Sequence, residues 1–100
     1  MKLTLIVPCF NEEAVLPQTT ACLTAVLNRL QNSQRISLGQ ILYVDDGSSD
    51  RTWALITQHA AQHPCVRGMK LAHNVGHQQA LWAGLEWAAA HSDAAISIDA

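Results

Sequence analysis

Glycine is sparse in this sequence, five residues in 100, and none falls in the first polar turn, Pro8-Cys9-Phe10-Asn11-Glu12-Glu13. That turn cannot make the tight GxGxxG approach to a pyrophosphate, and a GxxxxGK[ST] loop is missing from the whole chain. Basic residues are few, six Lys and Arg against eight Asp and Glu for a formal charge of -2. That leaves no basic stripe to neutralise a polynucleotide and argues against nucleic acid as a partner. Long apolar runs are absent too: Met1-Lys2 leads straight into Leu3-Thr4-Leu5-Ile6-Val7, far short of a signal h-region or a membrane span. The three cysteines, Cys9, Cys22 and Cys65, include no CxxC pair. Neither a disulfide framework nor a zinc ribbon is implied, and they read as small buried apolar residues in a reducing cytoplasm.

What is present is a chain able to fold. Hydrophobic residues make up 49% and charged residues only 14%, which argues for one buried core and against disorder. Leu3 to Val7 reads as a strand covered on both faces and stopped by Pro8. Leu16, Leu23, Val26, Leu27 and Leu30 recur at helical spacing, with Pro17 placed where a first turn tolerates it. Ile41 to Val44 is a second strand, ending at the acidic pair of Asp45-Asp46-Gly47-Ser48-Ser49-Asp50. Trp53, Ile56 and Ala60 give a second helix, closed by His63-Pro64. Val66 to Leu71 is a third strand, Ala80, Leu81, Gly84, Leu85 and Ala88 mark a third helix, and Ala94 to Ile98 is a fourth strand. Strands alternating with helices predict an α/β fold, a Rossmann-like parallel sheet with helices on both faces.

In such sheets ligands bind outside the carboxyl ends of the strands. The acids after strands one, two and four, Glu12-Glu13, Asp45-Asp46 and Asp99, therefore converge on one rim. A rim this acidic repels phosphate unless a cation intervenes, so a divalent metal is the simplest mediator. A carboxylate at the end of strand two suits a ribose hydroxyl or a base N–H, both donors. Asp50 reads equally well as a helix cap, and Asp99 taken alone as a turn residue. His73 and His77 flank a loop-to-helix start and would not share one helix face, which argues against zinc. Trp53, Trp82 and Trp87 read as packing residues.

Taken in order, Ile6-Val7-Pro8-Cys9-Phe10-Asn11-Glu12-Glu13, Val44-Asp45-Asp46-Gly47-Ser48-Ser49-Asp50-Arg51-Thr52, Asn74-Val75-Gly76-His77-Gln78-Gln79-Ala80-Leu81 and Ile98-Asp99-Ala100 resemble the family-2 glycosyltransferases of GT-A fold. The resemblance points to the branch of polyprenyl-phosphate sugar synthases and spans essentially the whole chain. It implies that Pro8, Phe10 and Glu12 line a nucleotide pocket and that Val44 and Asp46 grip the base, with Asp46 accepting from a base N–H. Asp99 matches the first acid of the Asp-x-Asp motif, which approaches the nucleotide and the Mg²⁺ or Mn²⁺ on its diphosphate, and Ala100 is that motif's middle residue. His73 stands where this branch commonly carries a basic residue.

The implied activity is inverting transfer of a sugar from a UDP- or GDP-sugar to a polyprenyl phosphate or other acceptor; a polyprenyl phosphate is already anionic, so no catalytic base is assigned. Residues 1 to 100 then correspond to the amino-terminal, nucleotide-sugar-binding part of the glycosyltransferase domain, stopping inside the metal motif and expected to be inactive alone. An open sheet edge would favour self-association into homo-oligomers. The location is cytoplasmic, at the membrane's cytoplasmic face when the acceptor is lipid-linked. A dinucleotide-dependent oxidoreductase, a phospho-accepting signalling module and a non-catalytic nucleotide-binding domain remain as other readings. On this reading Asp46→Ala costs nucleotide affinity and little stability, because a rim carboxylate serves the ligand rather than the core.

Overall fold

A computed structural model describes residues 1–98, so Asp99 and Ala100 lie outside the described residues. The element order is β1 (Lys2–Cys9), α1 (Leu16–Asn32), β2 (Leu38–Asp45), α2 (Thr52–Gln62), β3 (Val66–Lys70), α3 (His77–His91) and β4 (Ala94–Ser97). The four strands form one parallel sheet in the order β3-β2-β1-β4, which is the alternation the sequence predicts.

The strand period of two sorts the core onto two faces. Leu3, Leu5, Val7 and Cys9 of β1 join Ile41 and Tyr43 of β2 under α1 and α2, with Leu16, Leu27 and Ile56 completing that layer. Ile6, Leu42 and Val44 point the other way and pack on Ala80 and Ala88 of α3. Small residues let α3 approach closely: a Cβ on Gly84 would stand 2.5 Å from Cγ2 of Ile6. Two buried polar pairs are satisfied internally, Thr20 with the Tyr43 hydroxyl and Gln40 with Thr4, the latter at 3.0 Å. Both would otherwise cost the full desolvation of an unpaired group.

Several boundaries and exposures differ from the sequence reading. β1 runs through Pro8 to Cys9 rather than ending at Pro8. The Ile98 amide donates to the Ile6 carbonyl, so Pro8, two residues on, faces the same side. Pairing with β4 among the described residues ends there at Ile6↔Ser97, so the missing proline N–H interrupts none of the described strand pairs. β2 begins at Leu38, earlier than the apolar run suggests, because Gln40 finds its partner on β1. Cys22 is exposed, as are Val26 and Leu85 at the margins of their helical stripes, and Trp82 is 62% exposed on α3 rather than packed.

Candidate functional site

The same alternation decides where the acidic pair goes. Asp45 is the last residue of β2 and shares the side of Tyr43, turning beneath α1 and α2. It is fully buried, its Oδ1 accepts the Ser48 amide at 3.3 Å, and its Oδ2 has no hydrogen-bond partner among the described residues. Asp46 faces the other side, toward the segment that leads into α3. Its Oδ1 accepts the Val75 amide at 2.8 Å, its Oδ2 accepts the Gly76 amide at 3.1 Å, and its carbonyl accepts the Asn74 side-chain amide at 3.1 Å. Asp46 is 4% exposed. The acidic pair of the sequence reading is thus split across the sheet, Asp46 accepting two backbone amides and Asp45 one.

The turns after β1 and β2 are laced into one unit. Asn11 adopts φ 52°, a left-handed conformation that asparagine tolerates better than most residues. From there its Oδ1 accepts the amides of Ser49 at 2.9 Å and Asp50 at 3.4 Å, while its own amide donates to the Ser48 hydroxyl at 2.9 Å. The Glu12 amide donates to Thr52 Oγ1 at 2.8 Å, and the Glu13 amide to Asp50 Oδ2 at 3.3 Å. Asp50 also accepts the Thr52 amide at 2.9 Å at the start of α2, but the N-cap position is Arg51, so Asp50 braces the helix start from one residue further out rather than capping it. Desolvation opposes ionisation of Asp50, but the hydrogen bonds from the Thr52 hydroxyl, the Thr52 amide and the Glu13 amide outweigh it and hold its carboxyl below the usual range.

Above these turns, at the carboxyl ends of β1 and β2, lies an open cleft of about 550 Å³ lined by Pro8, Cys9, Phe10, Glu12, Asp46, Asn74, Gly76 and His77. Four residues singled out in the sequence, Pro8, Phe10, Glu12 and Asp46, therefore meet in one place. Phe10 is 47% exposed, presenting an aromatic ring beside two carboxylates. Val44 is the departure: its side chain is fully buried on the α3 side, beside Gly84, and does not line the cleft. An even-numbered β2 residue one step before Asp45 has to point into that layer. Cys9 is buried; desolvation first, then the charges of Glu12 and Asp45, push its thiol up to about 12, so it offers no thiolate at neutral pH.

Asn74, Gly76 and His77 form a wall of the cleft that residue-level reading did not assign. Their signal was the Asn-x-Gly pattern, and its physical content is Gly76 at φ 97° as the residue before α3. Among the described residues no group of three or more His, Cys, Asp or Glu could hold a metal ion. The described cleft therefore does not by itself fit a divalent cation, and the assigned ligand, Asp99, lies outside the described residues, as does Ala100. No helix among them is long and apolar enough to cross a membrane.

Comparison with known proteins places this arrangement. The chain is 54% identical over 99 residues to the uncharacterized glycosyltransferase YkoT of Bacillus subtilis (strain 168), covering 98% of this chain and 29% of that protein. It is 34% identical over 99 residues to the bactoprenol glucosyl transferase of Shigella phage SfV, covering 99% of this chain and 30% of that one. The chain thus spans under a third of the length of these relatives. Among solved structures, the fold matches S. aureus TarS 1-349 in complex with UDP, with a TM-score of 0.77 at 21% identity, over 99% of this chain and 27% of that one. It also matches the mannosyltransferase PcManGT from Pyrobaculum calidifontis in complex with GDP-Man and Mn²⁺, with a TM-score of 0.63 at 24% identity, over 85% and 24%. The family model for glycosyl transferase family 2 matches residues 4–100, and the chain belongs to that family.

Proposed function

We propose that this chain is the nucleotide-sugar-binding part of an enzyme that transfers a sugar, with inversion at the anomeric carbon, from a UDP- or GDP-sugar to a polyprenyl phosphate. The observation that carries the reading is the convergence of Pro8, Phe10, Glu12 and Asp46 on one cleft at the strand ends. In this reading the Phe10 ring covers a face of the base, Asp46 accepts a base N–H, and Glu12 accepts a ribose hydroxyl. Val44 contributes only through its backbone, since its side chain is enclosed in the core. Support for the donor comes from the UDP and GDP-Man named in the two structural neighbours, and for the acceptor from the bactoprenol glucosyl transferase.

A divalent cation, Mn²⁺ or Mg²⁺, accompanies the diphosphate in this proposal, held by Asp99 with Ala100 beside the nucleotide; the Mn²⁺ of PcManGT supports it. Bound there, such an ion neutralises charge on the departing diphosphate. The acceptor phosphate attacks from the opposite face and, being anionic already, needs no proton removed. The proposed location is the cytoplasm, at the cytoplasmic face of the membrane that holds the lipid acceptor, and the protein assembles as a homo-oligomer. Titration calorimetry with UDP, GDP and NAD, each with Mn²⁺ or Mg²⁺, tests the reading. A uridine or guanosine nucleotide is expected to bind, and preference for NAD overturns it.

A further inference from the structure

The carboxylate assigned to the base is already engaged by the protein, and this points beyond a simple contact residue. The Val75 and Gly76 amides each take one oxygen of Asp46, and the Asn74 side chain takes its carbonyl. The β2–α2 turn presses on the same segment. A Cβ on Gly47, which has φ 73°, would lie 2.5 Å from the Asn74 nitrogen and 2.8 Å from the His73 carbonyl carbon. These contacts join the strand end to the residues directly before α3, of which Asn74 and Gly76 line the cleft together with His77, the first residue of the helix. An ionised carboxylate has about four lone-pair sites, and the two amides use two of them. One site on each oxygen is left for a donor in the cleft that Asp46 lines.

We propose that Asp46 is a shared acceptor, a positioning residue as well as a ligand contact: it holds the Asn74–His77 wall in place through the Val75 and Gly76 amides while accepting the imide N–H of a uracil or guanine base. The inference rests on the nucleotide reading above and adds to it a linkage between base occupancy and the position of the segment that opens α3. Linkage is reciprocal. A bound nucleotide tightens the wall, and a loosened wall weakens the nucleotide, even when the loosening substitution lies outside the cleft.

Residue-resolved amide hydrogen exchange on the chain, alone and with UDP or GDP, tests this. In the nucleotide-free protein the Val75 and Gly76 amides are expected to be protected, and a bound nucleotide is expected to slow both about fivefold or more. Gly47→Ala, at a residue that does not line the cleft, is expected to speed exchange at both amides and to weaken nucleotide binding about fivefold or more, with β1 and β2 amides still protected. Should the β1 and β2 amides lose protection in that variant, Val75→Pro, which deletes one donor and leaves Gly76 as reporter, decides by the same two readings. Unprotected amides in the nucleotide-free chain, or faster exchange in the variant with unchanged affinity, overturn the proposal. Failure of the wild-type chain to bind any uridine or guanosine nucleotide instead removes the nucleotide reading, and the two amides alone then report whether Asp46 holds the wall.

Discussion

At the scale of single residues, two adjacent aspartates carry different work because a strand turns them to opposite faces. Asp45 is enclosed with Oδ2 lacking a partner among the described residues, whereas Asp46 accepts two amides beside the cleft. The expectation that Asp46→Ala would spare stability does not survive this geometry. Its removal leaves two amides of the wall without acceptors, and charge-assisted hydrogen bonds contribute about 1.5–3 kcal/mol each, less where water can substitute. Asp46→Ala is therefore expected to lose about 1.5–3 kcal/mol of folding stability as well as nucleotide affinity, the first read by urea unfolding and the second by calorimetry. Unchanged stability would return Asp46 to a purely ligand-facing role.

At the scale of elements, α3 and α2 each make a prediction. Gly84 sits inside α3, where alanine would ordinarily add about 1 kcal/mol of helix propensity. Its Cβ, however, would meet the fully buried Ile6 at 2.5 Å, and such overpacking costs about 1–3 kcal/mol. Gly84→Ala is expected to lower the thermal midpoint, and a rise would show that the α3 layer yields easily. On α2, burial first, then the stacked neighbour His63 with ring centroids 5.9 Å away, lowers the pKa of His59. Its Nδ1 is buried without a partner among the described residues. A base with a depressed folded pKa binds fewer protons folded than unfolded. The stability it supports is thus present above the ordinary value of 6.5 and is lost as pH falls through the lowered one. Denaturant midpoints for wild type and His59→Gln, compared at about pH 7.5 and about pH 5, should show a smaller acid loss in the variant.

At the scale of the whole molecule, the sheet has two unlike edges. β3 carries Arg67 and Lys70, charges of the kind that discourage edge pairing, while β4 reads Ala94-Ala95-Ile96-Ser97 with Ile96 52% exposed. The 100-residue chain is expected to self-associate through β4. Sedimentation velocity should show a concentration-dependent shift that Ile96→Lys reduces, and a monomer at all concentrations would exclude the homo-oligomer through this edge. The chain's parallel order and its two-faced core were legible because hydrophobic runs of strand length alternate with helical stripes. The meeting of Glu12 and Asp46 at one site was legible because strand ends converge in such a sheet, whereas Pro8 and Phe10 were assigned to it by the resemblance to the family.

Sequence alone therefore determined the fold class, the family and the four residues that meet in the cleft, since period, turn chemistry and motif order are local properties of the chain. Tertiary structure decided what depends on direction and on partners distant in sequence. It sent Val44 into the α3 layer, carried β1 through Pro8 beyond the last described pair with β4, and gave Asn11 its partners in the β2–α2 turn. It also brought Val75 and Gly76 onto a carboxylate 29 and 30 residues earlier. No spacing in the sequence encodes that contact, because it exists only once β2 and α3 have packed on opposite ends of the same short approach.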